Sequence, residues 1–264
     1  KQLVTGMRLI DTFIPIATGQ RELILGNAHS GKNEFLIDII KNTTENGFIC
    51  VIGLIGISIN QVRAIIDALR DTRGQKLMTI IASTSTDPSP LIFYAPFACM
   101  SVAEYFAGKG KNVVVILDDL GIHAKIYRQL NLLGGRLPGR EAYPADIFTI
   151  HAELLERAGN FKASTGIGSI TVLPVMEINL TDFTNFIPTN LMASTDGHIL
   201  FKSEIYSKGF YPSVDIPLSV SRVGGQTQTA VQNQLSFALR QILTQAQNLE
   251  TLVRFSTDIS PQTK

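Results

Sequence analysis

Gly26-Asn27-Ala28-His29-Ser30-Gly31-Lys32-Asn33 separates two glycines by four residues and follows the second with a lysine. The apolar run Leu23-Ile24-Leu25 leads into it and a segment with helical spacing follows. Strand, turn and helix in that order are the context of a phosphate-binding loop, or P-loop. Glycines let backbone N–H groups curl around phosphates, the helix N-terminus adds positive potential, and Lys32 would neutralise the outer phosphates. Gly26, Ser30, Gly31, Lys32 and Asn33 are therefore the candidate nucleotide-binding residues. The last position normally carries Ser or Thr, whose hydroxyl binds the Mg²⁺ that bridges the phosphates. Asn33 stands there instead. Its amide oxygen can touch a metal but is bulkier, and it can equally cap the helix.

A nucleotide site also needs an apolar strand ending in a carboxylate, and Val113-Val114-Val115-Ile116-Leu117-Asp118-Asp119 supplies one. Asp118 would hold the metal, directly or through water; the other reading is a carboxylate that caps the following turn. Hydrolysis further requires a carboxylate or glutamine to orient the attacking water, commonly at the end of the strand after the P-loop helix. That strand ends Leu54-Ile55-Gly56-Ile57, and an isoleucine can neither accept a proton nor position water. These residues describe a P-loop domain that does not hydrolyse ATP by itself. His29 reads as an exposed loop histidine, with a phosphate contact as its alternative.

Strand-like runs recur at residues 22–26, 48–54, 78–82, 113–117, 170–175 and 198–201, with helix-length segments between most of them. Residues 33–42 carry Phe35, Leu36, Ile39 and Ile40 at helical spacing, and residues 61–69 carry Val62, Ile65, Ile66 and Leu69. The alternation, with near-continuous apolar strands, predicts an α/β fold whose mainly parallel sheet has helices on both faces. From Gln226 onward, Val231, Leu235, Ala238, Ile242, Ala246, Leu249 and Val253 form one stripe, which predicts a long amphipathic helix. A boundary near Gly224 and Gly225 gives a P-loop domain over residues 1–225 and the start of a helical region over residues 226–264.

The 264 residues suffice for a sizeable core; 45% are hydrophobic and 17% charged, against roughly 25% charged in an average domain. Low charge fits either an oligomeric subunit or a large buried sheet. A net charge of +1 without long runs of one sign leaves no footprint for nucleic acid or an anionic membrane. The longest apolar stretch, residues 48–57, falls well short of the roughly 20 residues that span a bilayer. No secretory leader pattern stands at Lys1, and the chain reads as an excerpt of a longer one. Cys50 and Cys99 each sit in an apolar stretch without metal-ligand spacing, which predicts reduced core thiols in a cytosolic compartment.

Further segments extend along nearly the whole chain. Thr5-Gly6-Met7-Arg8-Leu9-Ile10-Asp11, Ile14-Pro15-Ile16 and Gly19-Gln20-Arg21-Glu22-Leu23-Ile24 precede the P-loop. Asp118-Asp119-Leu120, Tyr127-Arg128-Gln129, Pro138-Gly139-Arg140-Glu141-Ala142-Tyr143-Pro144 and Leu154-Leu155-Glu156-Arg157 follow it. Ile187-Pro188-Thr189-Asn190, Thr195-Asp196-Gly197 and Ser219-Val220-Ser221-Arg222-Val223-Gly224 complete the series. In this order the chain resembles the alpha subunits of F-type ATP synthases.

The resemblance implies a RecA-like P-loop domain followed by the beginning of an α-helical C-terminal domain. It implies a hexameric ring in which alpha subunits alternate with catalytic beta-like subunits around a central rotor stalk. The ring is peripheral, on the cytoplasmic face of a membrane, and is coupled to a proton- or sodium-translocating sector. In that family alpha is non-catalytic, and the arginine of the SVSRVG segment reaches into the neighbour's site. Arg222 matches it and would act as an arginine finger in trans. Where the family usually reads GDRQTGKT, this chain has Asn27, Ala28, His29 and Asn33, and Ile57 replaces the usual glutamine. Tyr211 stands where an arginine lies beside the adenine, and Ala193 where a serine lies near the interface. Each departure weakens the chain's own site, so ATP and Mg²⁺ are expected to bind weakly or not at all. The Pro138 to Pro144 segment is similar to the one that faces the rotor. The other readings are a V-type B-like non-catalytic subunit and an autonomous P-loop ATPase motor. The PGREAYP and SVSRVG segments favour the F-type reading over the first, and Ile57 and Asn33 count against the second.

Overall fold

A computed structural model describes residues 1–163, 166–179 and 184–255. A short antiparallel pair, β1 (Gln2–Leu3) and β2 (Ile16–Ala17), brackets α1 (Arg8–Phe13). The chain continues through β3 (Glu22–Gly26), α2 (Lys32–Glu45), β4 (Ile49–Ile57), α3 (Ile59–Leu69), β5 (Met78–Thr84), α4 (Ser89–Ala107) and β6 (Asn112–Asp118). It then forms α5 (Leu120–Leu133), α6 (Ile147–Glu156), β7 (Gly159–Ala163), β8 (Gly166–Glu177), α7 (Phe186–Ser194) and β9 (Gly197–Phe201). Last come α8 (Ser203–Ser207), β10 (Val220–Ser221) and α9 (Ala230–Phe255).

Among the described residues the main sheet has the order β5-β4-β6-β8-β3-β9-β10, with β7 paired to β8. β7 and β10 run antiparallel to their neighbours and the other pairs are parallel. This is the expected mainly parallel α/β sheet. Successive strand residues point to opposite faces, and helices cover both. Leu23, Val113, Val115 and Leu117 pack with α4, α5, α6 and α7, while Ile24, Val114 and Ile116 pack with α1, α2 and α3.

The longest apolar segment is not residues 48–57 but α4, whose 19 residues are long and apolar enough to cross a membrane by length and composition. Its Ile92, Ala95, Cys99, Met100 and Ala103 are instead buried in the core. Cys50 and Cys99 are buried free thiols, and burial pushes each up to about 12.

The expected long amphipathic helix is present as α9. It begins at Ala230, after a short 3₁₀ turn at Gly224–Thr227 and a cap in which the Thr229 hydroxyl accepts from the Gln232 N–H. Val231, Leu235 and Ile242 are exposed, and Val253 lies where only the backbone is described. The helix docks through polar groups: Ser236 Oγ donates to Thr12 O at 3.0 Å and Arg240 Nη2 to Phe13 O at 2.7 Å. The physical reason lies in α1, whose last carbonyls have no intrahelical partner and need donors.

Candidate nucleotide site

β3 ends at Gly26 and α2 begins at Lys32, with Gly31 between them in the left-handed region at φ 76°. A Cβ there would lie 2.8 Å from the Tyr206 ring, so both conformation and space require glycine. Side chains fasten the loop from the α8 side. Asn27 Nδ2 donates to Ser203 Oγ at 2.6 Å, Asn27 Oδ1 accepts from Ser203 N at 3.0 Å, and Ser213 Oγ donates to Ser30 O. His29 is exposed at the tip with φ 56°.

Lys32 is nearly buried, its ammonium 4.0 Å from Glu177 Oε2. Asp119 caps α5: its Oδ1 accepts from Gly121 N at 2.5 Å and Ile122 N at 3.1 Å, and its Oδ2 accepts from Glu177 N at 2.5 Å. Capping therefore falls to Asp119, and the Asp118 carboxylate accepts no hydrogen bond among the described residues. Burial pushes Asp118 up to about 6; Asp119 and Glu177 push the same way and Lys32 opposes them. Asp119 is also raised by burial, against Lys32 and its three N–H donors.

Lys32, Asn33, Ile57, Asp118 and Glu177 line one cleft of about 460 Å³. It opens at the carboxyl ends of the parallel strands, where ligands of such sheets bind. The fold thus brings Lys32, Asn33 and Asp118 together, with Gly26, Ser30 and Gly31 in the adjoining loop. Ile57 meets them as a buried apolar side chain at the end of β4. Glu177 was missed in the sequence, although it closes an apolar strand as Asp118 does, which is the signal that finds it. The described lining carries Lys32 and Lys125 against Asp118, Asp119, Glu141 and Glu177, an excess of negative charge.

Arg222 is not in this cleft. β10 pairs with β9 so that Ser221 lies opposite Gly197, at the amino end of β9, whereas the P-loop follows the carboxyl end of β3. Gly197 to Phe201 spans about 13 Å at ~3.3 Å per residue, so Arg222 and the loop occupy opposite ends of the sheet. Its side chain is exposed and its N–H donates to Asp196 O at 2.9 Å. Tyr211 Oη donates to Asp38 Oδ2 on α2 at 2.7 Å, and Ala193 is exposed on α7.

The profile of the ATP synthase alpha/beta family, nucleotide-binding domain, matches residues 6–221. A protein named ATP synthase subunit alpha 2 from Syntrophus aciditrophicus is 42% identical over 262 residues, covering 99% of this chain and 50% of that protein. Another of the same name from Nitrosospira multiformis is 40% identical over 262 residues, covering 99% of this chain and 51% of that protein. The chain spans about half the length of these relatives. With a parallel sheet, a P-loop and an acidic strand end in the family's order, the chain belongs to the ATP synthase alpha/beta family and carries its nucleotide-binding domain.

Proposed function

We propose that this chain is the non-catalytic, alpha-type subunit of an F-type ATP synthase ring and that Arg222 serves the catalytic site of an adjacent beta-like subunit. The observation that carries this reading is the position of Arg222. It stands exposed on the edge strand, at the end of the sheet opposite its own P-loop, and so serves phosphates held by another chain. A guanidinium supplied in trans stabilises charge on the transferring phosphoryl group, an effect of about 10³ to 10⁵ in rate.

The chain's own site fits Mg²⁺-ATP poorly. Asn33 replaces the metal-binding hydroxyl and Ile57 cannot orient water, and both line the cleft. Asp118 would be the residue to meet a metal through water, and Lys32 the one to meet phosphate. Weak or absent nucleotide in this subunit follows. The exposed Leu137 and the Pro138 to Pro144 segment would face the rotor stalk, with the ring peripheral to an ion-translocating membrane sector on the cytoplasmic side.

Calorimetric titration of the purified chain with Mg²⁺-ATP, together with a turnover assay, tests the degenerate site. The expected result is a Kd weaker than ~1 mM, less than about 4 kcal/mol of binding, and no turnover. Sustained hydrolysis by this chain alone would overturn the non-catalytic assignment.

A further inference from the structure

Arg222 follows a strand of two residues, which supplies few ladder bonds to fix the base of a long side chain. What holds it is a row of residues across three strands. Glu22 lies opposite Gly197 in the β3–β9 pair, and Gly197 lies opposite Ser221 in the β9–β10 pair. Residues in register share a face of the sheet, so the Glu22 carboxyl and the Ser221 hydroxyl stand on either side of a position without a side chain. A Cβ at Gly197 would lie 2.6 and 2.8 Å from the two Glu22 carboxyl oxygens and 2.2 Å from Val220 O.

The Gln20 amide bridges this row. Its Nε2 donates to Glu22 Oε2 at 2.6 Å and to Ser221 Oγ at 3.1 Å, and its Oε1 accepts from Ala17 N at 2.7 Å. Both amide hydrogens and the carbonyl are thereby used, and Gln20 and Glu22 are buried. Ser221 Oγ donates in turn to Pro15 O at 2.7 Å and accepts from Gly224 N at 3.2 Å. One hydroxyl therefore ties the backbone on both sides of Arg222 to the centre of the domain. Asp196, whose carbonyl receives the Arg222 N–H, is held by Arg21 through Nε at 3.1 Å and Nη2 at 2.8 Å. Burial keeps the Glu22 carboxyl well above the usual carboxylate range.

We infer that Gln20, acting through Ser221 against the buried Glu22, is a positioning residue that sets the direction in which Arg222 leaves the edge strand. Its catalytic consequence rests on the arginine-finger reading; the positioning itself does not.

Two variants and two readouts test this. Gln20→Leu removes the bridge, and Ser221→Ala, a milder change, serves if the first fails to fold. In the purified chain, amide exchange at Arg222 and Val223 should quicken about tenfold or more, with exchange in β3 and β6 unchanged. In a ring assembled with its beta-type partner, kcat should fall by up to ~10²-fold at unchanged KM, the scale of a small misplacement. Neither variant should lower kcat further in an Arg222→Ala background, and Ser221→Thr, which restores the hydroxyl, should recover it. Unchanged exchange at Arg222 in both variants, or losses that multiply with that of Arg222→Ala, would overturn the inference. If Arg222→Ala alone left kcat intact, the finger reading would fail, and the exchange data would still decide whether Gln20 fixes the strand.

Discussion

Asp118→Asn keeps the shape of the side chain and removes its charge, and the chain should become more stable for it. In the unfolded chain Asp118 loses its proton near 3.8, in the folded chain near about 6. Between these values the folded state retains a proton that the unfolded state has released. Stability therefore falls as pH rises through this window and stays lowered at pH 7. The distance from 3.8 to about 6 corresponds to roughly 3 kcal/mol. The carboxylate lines the open cleft, where water reaches it, so part of this is screened. Asparagine cannot ionise, and its amide faces the cleft, where water can satisfy it. The variant should gain roughly 1 to 2 kcal/mol at pH 7, and the gain should shrink towards zero as the pH approaches 4. Urea unfolding at several pH values measures this. A loss of stability at pH 7 would refute the reasoning: Lys32 would then outweigh burial, and Asp118 would be a structural ion-pair partner.

Lys32→Met should destabilise the fold by roughly 3 kcal/mol at pH 7, because it leaves buried carboxylates without their cation. The loss should be smaller at pH 5, where Asp118 carries a proton, and urea unfolding of both forms shows the difference. His123 and His151 form a buried pair, Nδ1 to Nε2 at 3.1 Å, and burial lowers them to about 4 and about 3. The unfolded chain takes up protons below about 6.5 and the folded chain does not, so stability falls with pH from there to about 4, by roughly 3 kcal/mol for His123. A His123→Gln, His151→Gln variant should flatten that part of the profile. Gly31→Ala should lower stability by about 1 to 3 kcal/mol, from the left-handed backbone and the Tyr206 contact, read as a drop in Tm.

The strands were legible because β4, β6 and β9 are buried on both faces and their apolar runs are nearly unbroken. The P-loop was legible because its spacing is a backbone requirement, met by Gly26 and Gly31. Helix α4 was not, since it is apolar on nearly every side and contains Pro96, which hides the helical period. The stripe of α9 was legible as a helix, but not what the helix packs on. Periodicity marks an apolar face but not its partner, and Arg240 and Ser236 dock the helix through carbonyls no pattern reveals. For Asp118 the sequence left a metal role and a capping role open, and the hydrogen bonds assign the cap to Asp119. Gln20 and Glu22 stood out only as part of the segment before the P-loop, because the bond from Gln20 to Ser221 spans 201 positions.

The direct test of the central claim is the kcat of a reconstituted ring in which this chain carries Arg222→Ala beside an unaltered beta-type partner. Loss of a finger in trans predicts a fall of about 10³ to 10⁵ in phosphoryl transfer at the partner's site, with the ring still assembled. A ring that assembles and turns over at the unaltered rate would contradict it.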